Sequence, residues 1–166
     1  MPDQRKTIEQ LEQDVWGEPN ADSTGLVRTC YALRKKPLQD FTPRDMQLMI
    51  GQSNNFGLLI PKALHVLKAN PLIESDTFYP GHLLETVLRL HNTARFWDIN
   101  PVLAQTAVAV AQHALDILMS LNAGEGYFWS SKEAKIVQEE DFIITDQIYQ
   151  ALTATIHRFL DQYGDK

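Results

Sequence analysis

Five helix-start signals are spread along this 166-residue chain, and no segment shows sustained two-residue alternation of apolar and polar positions. A strand with one buried face needs that alternation. A helix needs a capping residue followed by apolar positions three and four apart. The chain is therefore predicted to be all-α, one compact domain over 1–166 with seven to eight helices and an ordered core over about 7–163. A chain this long buries roughly two thirds of its unfolded surface and needs no metal or disulfide to fold.

The start signals place the helices. Thr7 caps a first helix, with Gln10 completing a capping box and Ile8, Leu11 and Val15 as the apolar stripe. A second starts at Ser23 or Thr24, carries Leu26, Val27, Cys30, Tyr31 and Leu33 inward, and stops before Pro37. Thr42-Pro43, with Asp45 in the first turn, opens a third whose inner face is Met46, Met49 and Ile50. Gly51 to Gly57 reads as a polar break before a helix from about Leu58 to Ala69, with Pro61 in its first turn. Pro80 to Leu90 and Pro101 to Asn122 follow, the latter the longest. Glu125 to Ser131 reads as an aromatic loop, Ser131 to Gln138 as a short helix, and Asp141 to Tyr163 as a final helix.

Composition narrows the partners. The net charge is −6, and it is uneven: Met1 to Gly25 carries −4, Leu26 to Gly124 +2, and Glu125 to Lys166 −4. Acidic ends repel nucleic acid and anionic membranes and attract basic proteins, so neither nucleic acid nor membrane is expected as a partner. The most apolar stretch, Pro101 to Leu121, is interrupted by Gln105, Gln112, His113 and Asp116, the pattern of a buried helix. Met1 to Thr7 is polar and carries no secretory pattern, and a lone Cys30 forms no internal disulfide. These point to the cytoplasm.

Candidate chemistry is sparse. Cys30 falls on an apolar helix face, where thiols are inert. His82 and Glu85 are three apart on one helix, and with His91 they outline a metal-dependent hydrolase. A catalytic zinc needs three converging ligands, and no second ligand cluster is present, so no metal, cofactor or catalytic residue is assigned. Gly51 to Gly57 has the polarity of a phosphate loop but lacks its lysine and preceding strand. Arg34-Lys35-Lys36 suits a helix C-terminus. Glu139-Glu140-Asp141 either complements a helix dipole or, with Glu125 and Asp146, forms an acidic patch for a basic partner. Glu9, Glu12, Asp14 and Glu18 make a second candidate acidic surface.

Several short motifs occur in fixed order: TIEQLEQDVWGEP (Thr7 to Pro19), LVRTCYALRKKPL (Leu26 to Leu38), FTPRDMQLMIGQ (Phe41 to Gln52), LIPKAL (Leu59 to Leu64), NPL (Asn70 to Leu72) and FYPGHLL (Phe78 to Leu84). In this order they resemble the immunity proteins of bacterial contact-dependent growth inhibition systems, over roughly Thr7 to Pro101. The resemblance implies a non-enzymatic protein that binds and silences the C-terminal toxin domain of a large exported protein, often a nuclease with a basic cleft. It fades in the C-terminal third, so toxin recognition is expected there, at Glu125, Glu139, Glu140, Asp141 and Asp146. The competing readings are the small hydrolase and a helical adaptor with another partner.

Overall fold

The computed structural model describes residues 2–52, 55–74, 79–90, 94–122, 128–130, 135–137 and 144–164. Among these residues there are eight α-helices: α1 (Ile8–Glu12), α2 (Gly25–Arg34), α3 (Pro43–Gly51), α4 (Phe56–Ala69), α5 (His82–Leu88), α6 (Ala94–Ile99), α7 (Pro101–Asn122) and α8 (Asp146–Tyr163). Two three-residue strands, β1 (Phe128–Ser130) and β2 (Lys135–Val137), pair antiparallel with Trp129 opposite Ile136. The fold is all-α with this one small strand pair.

Local chemistry explains most boundaries. At α1 the Gln10 amide donates to the Thr7 hydroxyl while the Gln10 side chain accepts from the Thr7 amide. Thr42 and Asp45 repeat this reciprocal pairing at α3, and Lys36 Nζ also holds Asp45 at 2.7 Å. Burial alone would raise the Asp45 pKa, but the hydrogen bonds from Lys36 and Thr42 outweigh it and hold the carboxyl below its usual value. Thr24 and Thr145 cap α2 and α8. Each such cap contributes about 1 kcal/mol.

Several expectations are corrected. Helix α4 starts at Phe56 behind a left-handed Asn55, so Pro61 is its sixth residue, inside the helix rather than in the first turn. Proline there removes one backbone donor, and burial of Leu59, Ile60, Ala63, Leu64 and Leu67 offsets that loss. Helix α5 begins after Gly81, not at Pro80. Lys135–Val137 forms a strand where a helix was expected, because the Lys-Ile-Val run meets Phe128–Ser130 across a ladder. Helix α6 was not anticipated. Val15, Leu26 and Val27, assigned to inner faces, are exposed.

The core is shared by α3, α4, α5, α7 and α8. By length and composition α7 could cross a membrane. Here Ala104, Ala107, Val110, Ala111, Ala114, Leu115, Ile117 and Leu118 are buried, and the helix packs on α4, α6 and α8. Gln105, Gln112, His113 and Asp116 face outward. Cys30 is buried, and burial raises its thiol pKa.

Arg34 is the buried charge of the N-terminal half, 1% exposed. Its guanidinium reaches Glu12 at 2.9 Å and Asp14 at 3.1 Å, and donates to the Asp14 carbonyl at 2.9 Å. It also lies 4.1 Å from the centre of the Trp16 ring, which meets Tyr31 edge-on. This corrects the expectation that Arg34 merely complements a helix C-terminus: it clamps the segment after α1 onto α2.

Two predictions follow from packing. Gly81 has φ +79°, and an added Cβ would stand 2.6 Å from Leu152 Cδ2 and 3.2 Å from Leu72 Cδ2. Gly81→Ala should destabilise by roughly 1–3 kcal/mol or more, read as a lower urea midpoint. Glu12→Gln with Asp14→Asn leaves Arg34 buried without a carboxylate. That should lower unfolding free energy by about 3 kcal/mol, the low end for a broken buried pair because water screens these acids. Arg34→Met, which removes the charge itself, should cost less. The opposite order would mean that guanidinium packing, not ion pairing, holds the segment.

Candidate functional site

Of the acids assigned to partner recognition, Glu125, Glu139, Glu140 and Asp141 lie outside the described residues. Asp146 is the first residue of α8. The final helix thus begins at Asp146 rather than Asp141, because the Thr145 hydroxyl accepts the Ile148 amide and sets the start there. Glu139, Glu140 and Asp141 are thus not part of the first turn of α8.

The second acidic surface is largely spent inside the protein. The Glu9 carboxylate accepts from the Trp16 amide at 3.3 Å. Glu12 pairs with Arg34 and accepts from the Asn55 side chain. Asp14 takes Arg34 and the Trp16 indole N–H, the latter at 2.8 Å. Glu18 pairs with Lys35 at 2.6 Å. Among these contacts only the Glu18–Lys35 pair is exposed on both sides, and it adds little stability. Their consequence here is electrostatic: three of these four charges already have a cation at contact distance.

The outlined hydrolase site does not assemble as drawn. Glu85 is buried, but Tyr79 donates its hydroxyl to one carboxylate oxygen and Arg89 reaches the other at 2.9 Å. Arg89 Nε also donates to the Thr155 hydroxyl at 3.2 Å, tying α5 to α8. The His82 ring stacks on Tyr79, with centroids 4.6 Å apart. Burial and the neighbouring Glu85 push the Tyr79 hydroxyl well above its ordinary range, which keeps it a donor. His91 lies outside the described residues, and among the described residues no group of three or more His, Cys, Asp or Glu converges as metal ligands do. This cluster is a structural clasp, and neither Tyr79 nor Arg89 was singled out by spacing because both partners reach Glu85 only once α5 is folded.

Phe96 and Trp97 are core anchors. Phe56, Phe96, Trp97, Phe159 and Tyr163 form a continuous chain of ring contacts with centroids 5.0 to 5.9 Å apart. Clefts open on two sides of Trp97. One, of about 200 Å³, is bordered by Arg89, Thr155, Arg158 and Gln162. The other, of about 140 Å³, lies at the junction of α6 and α7.

Burial lowers the His82 pKa, with Glu85 opposing and Arg89 reinforcing that shift. An unfolded histidine titrates near 6.5. As pH falls through about 6.5 the unfolded chain takes up a proton that folded His82 resists, so stability is full above that pH and falls below it. Unfolding measured at pH 7.5 and 5.5 should show this loss, and His82→Gln should reduce it.

Residues 10–107, more than half of the chain, match the model of a family described as CDI immunity proteins. No curated protein and no solved structure matches the chain. The matched stretch runs from within α1 to within α7 and contains the Arg34 clamp, the Glu85 clasp and the junction of α6 with α7. The protein therefore belongs to the immunity proteins of contact-dependent growth inhibition systems.

Proposed function

We propose that this immunity protein works in the cytoplasm by stoichiometric binding, without turnover, to a nuclease toxin domain whose substrate cleft is basic. The acidic C-terminal region meets that cleft and either stands in for nucleic acid or excludes it sterically. Charge distribution carries this reading. The family-matched residues 10–107 hold ten acids and nine bases, net −1, whereas residues 108–166 hold nine acids and four bases, net −5. The N-terminal acids are already engaged by Arg34 and Lys35. Net negative charge therefore concentrates in the part of the chain outside the family match, where a family member would vary with its toxin. Complementary charge accelerates encounter above the ~10⁵–10⁶ M⁻¹s⁻¹ of neutral partners, while slow release requires a buried anchor.

Co-expression with the toxin domain encoded beside this gene should restore growth. Replacing Glu139, Glu140 and Asp141 together by lysine should slow association roughly tenfold or more at low salt, and the difference should shrink as salt rises. Unfolding measured in parallel separates this from lost stability. A stably folded triple variant with unchanged association kinetics at low salt would remove these acids from the interface.

A further inference from the structure

We propose that the cleft at the junction of α6 and α7 is the socket for an arginine side chain presented by the toxin. The proposal rests on the toxin-binding reading above and supplies the buried anchor that reading requires. Trp97, Asp98, Pro101, Ala104, Gln105 and Tyr163 line the cleft, which encloses about 140 Å³. Pockets for small organic ligands run to roughly 300–1,000 Å³, so this volume suits one long side chain.

The lining selects which side chain. Trp97, Ala104 and Tyr163 are buried and give apolar walls for an alkyl stem. Asp98 and Gln105 are exposed and stand at the opening, where a carboxylate and an amide oxygen can accept from a guanidinium. A long cationic side chain with its stem on apolar surface and its head on polar groups satisfies both halves. The larger cleft across Trp97 is lined by Arg158 and by Arg89, which is paired with Glu85, and by no acid, so it offers the same group no carboxylate. Charge thus assigns the cation to one cleft of the two.

The rim supports a protein as the source. Ile99 and Val102 are each 73% exposed and lie within two residues of the exposed lining residue Pro101, apolar surface carried on the same stretch of chain as the opening. Arginine anchors in protein interfaces are surrounded by such contacts, which exclude water from the central pair. The protein's own net charge of −6 favours a basic partner.

Two measurements test the socket. In the first, arginine amide is titrated into the full-length protein and the Trp97 indole and Tyr163 ring resonances are followed by NMR. Saturable shifts are expected, absent with uncharged citrulline amide and lost in Asp98→Asn. Equal shifts with citrulline amide, or none with either, would overturn the cationic socket. In the second, binding of the toxin domain encoded beside the gene is measured with Asp98→Asn, a surface change, and Ala104→Leu, which fills the cleft. Each should raise Kd by roughly tenfold or more, mainly through faster release. Wild-type affinity in a folded Asp98→Asn would overturn the proposal and leave toxin binding standing. If the wild-type protein itself fails to bind the toxin domain while arginine amide still titrates, the toxin-binding reading is at fault and the toxin is not the occupant.

Discussion

The fold depends on α8 returning to close a core that the rest of the chain leaves open. Leu152 and Ile156 are fully buried, and Phe159 and Tyr163 nearly so. Burying side chains of this size contributes roughly 1.5–3 kcal/mol each, so four together match a large part of a domain's net stability of about 5–15 kcal/mol. Leu152 fills the space that Gly81 leaves by lacking a Cβ. Thr155 accepts from Arg89, whose other contact is Glu85 on the same helix. Phe159 and Tyr163 complete the ring chain around Trp97. The family match stops at residue 107, yet the rest of α7 and α8 pack on α4, α5 and α6 within it. The matched stretch and the C-terminal region are therefore one folding unit, and the C-terminal part is constrained wherever it packs.

The buried charges of this scaffold are held by internal partners. Glu85 has Tyr79 and Arg89; Arg34 has Glu12 and Asp14. These are the features that spacing alone could mistake for chemistry. Each satisfies a buried charge that would otherwise be strongly unfavourable. The surface of α6 and α7 offers exposed Ile99 and Val102 and a narrow cleft beside Trp97. That division suits a protein whose task is to bind another protein.

Reading the sequence succeeded where structure is decided locally. The caps at Thr7, Thr24 and Thr42 and the proline at the start of α7 act within four residues, so their signals lie side by side in the chain. It failed where partners are distant. Arg34 looked like a surface cation because Asp14 is twenty residues away and Glu12 further still. Val15, Leu26 and Val27 have helical spacing but no covering element. The strand pair was missed because three-residue strands are too short to show alternation. The Asp98 cleft had no sequence signal at all, since its walls come from α6, α7 and the end of α8.

The inner face of the first half of α7 is built mainly of alanine: Ala104, Ala107, Ala111 and Ala114, with Val110 among them. Alanine has no side-chain rotamers to lose, and its neighbours must therefore come to it. The half of the helix seated this way has few alternative packings, because its inner side chains are short. The outward residues Val102 and Gln105 ride on that same helix. A partner that meets them finds a backbone already held in place, so little conformational freedom remains to be lost on association. The tight core of α7 is in this sense a property of the binding surface: preorganisation on one side of a helix, supplied by small residues on the other.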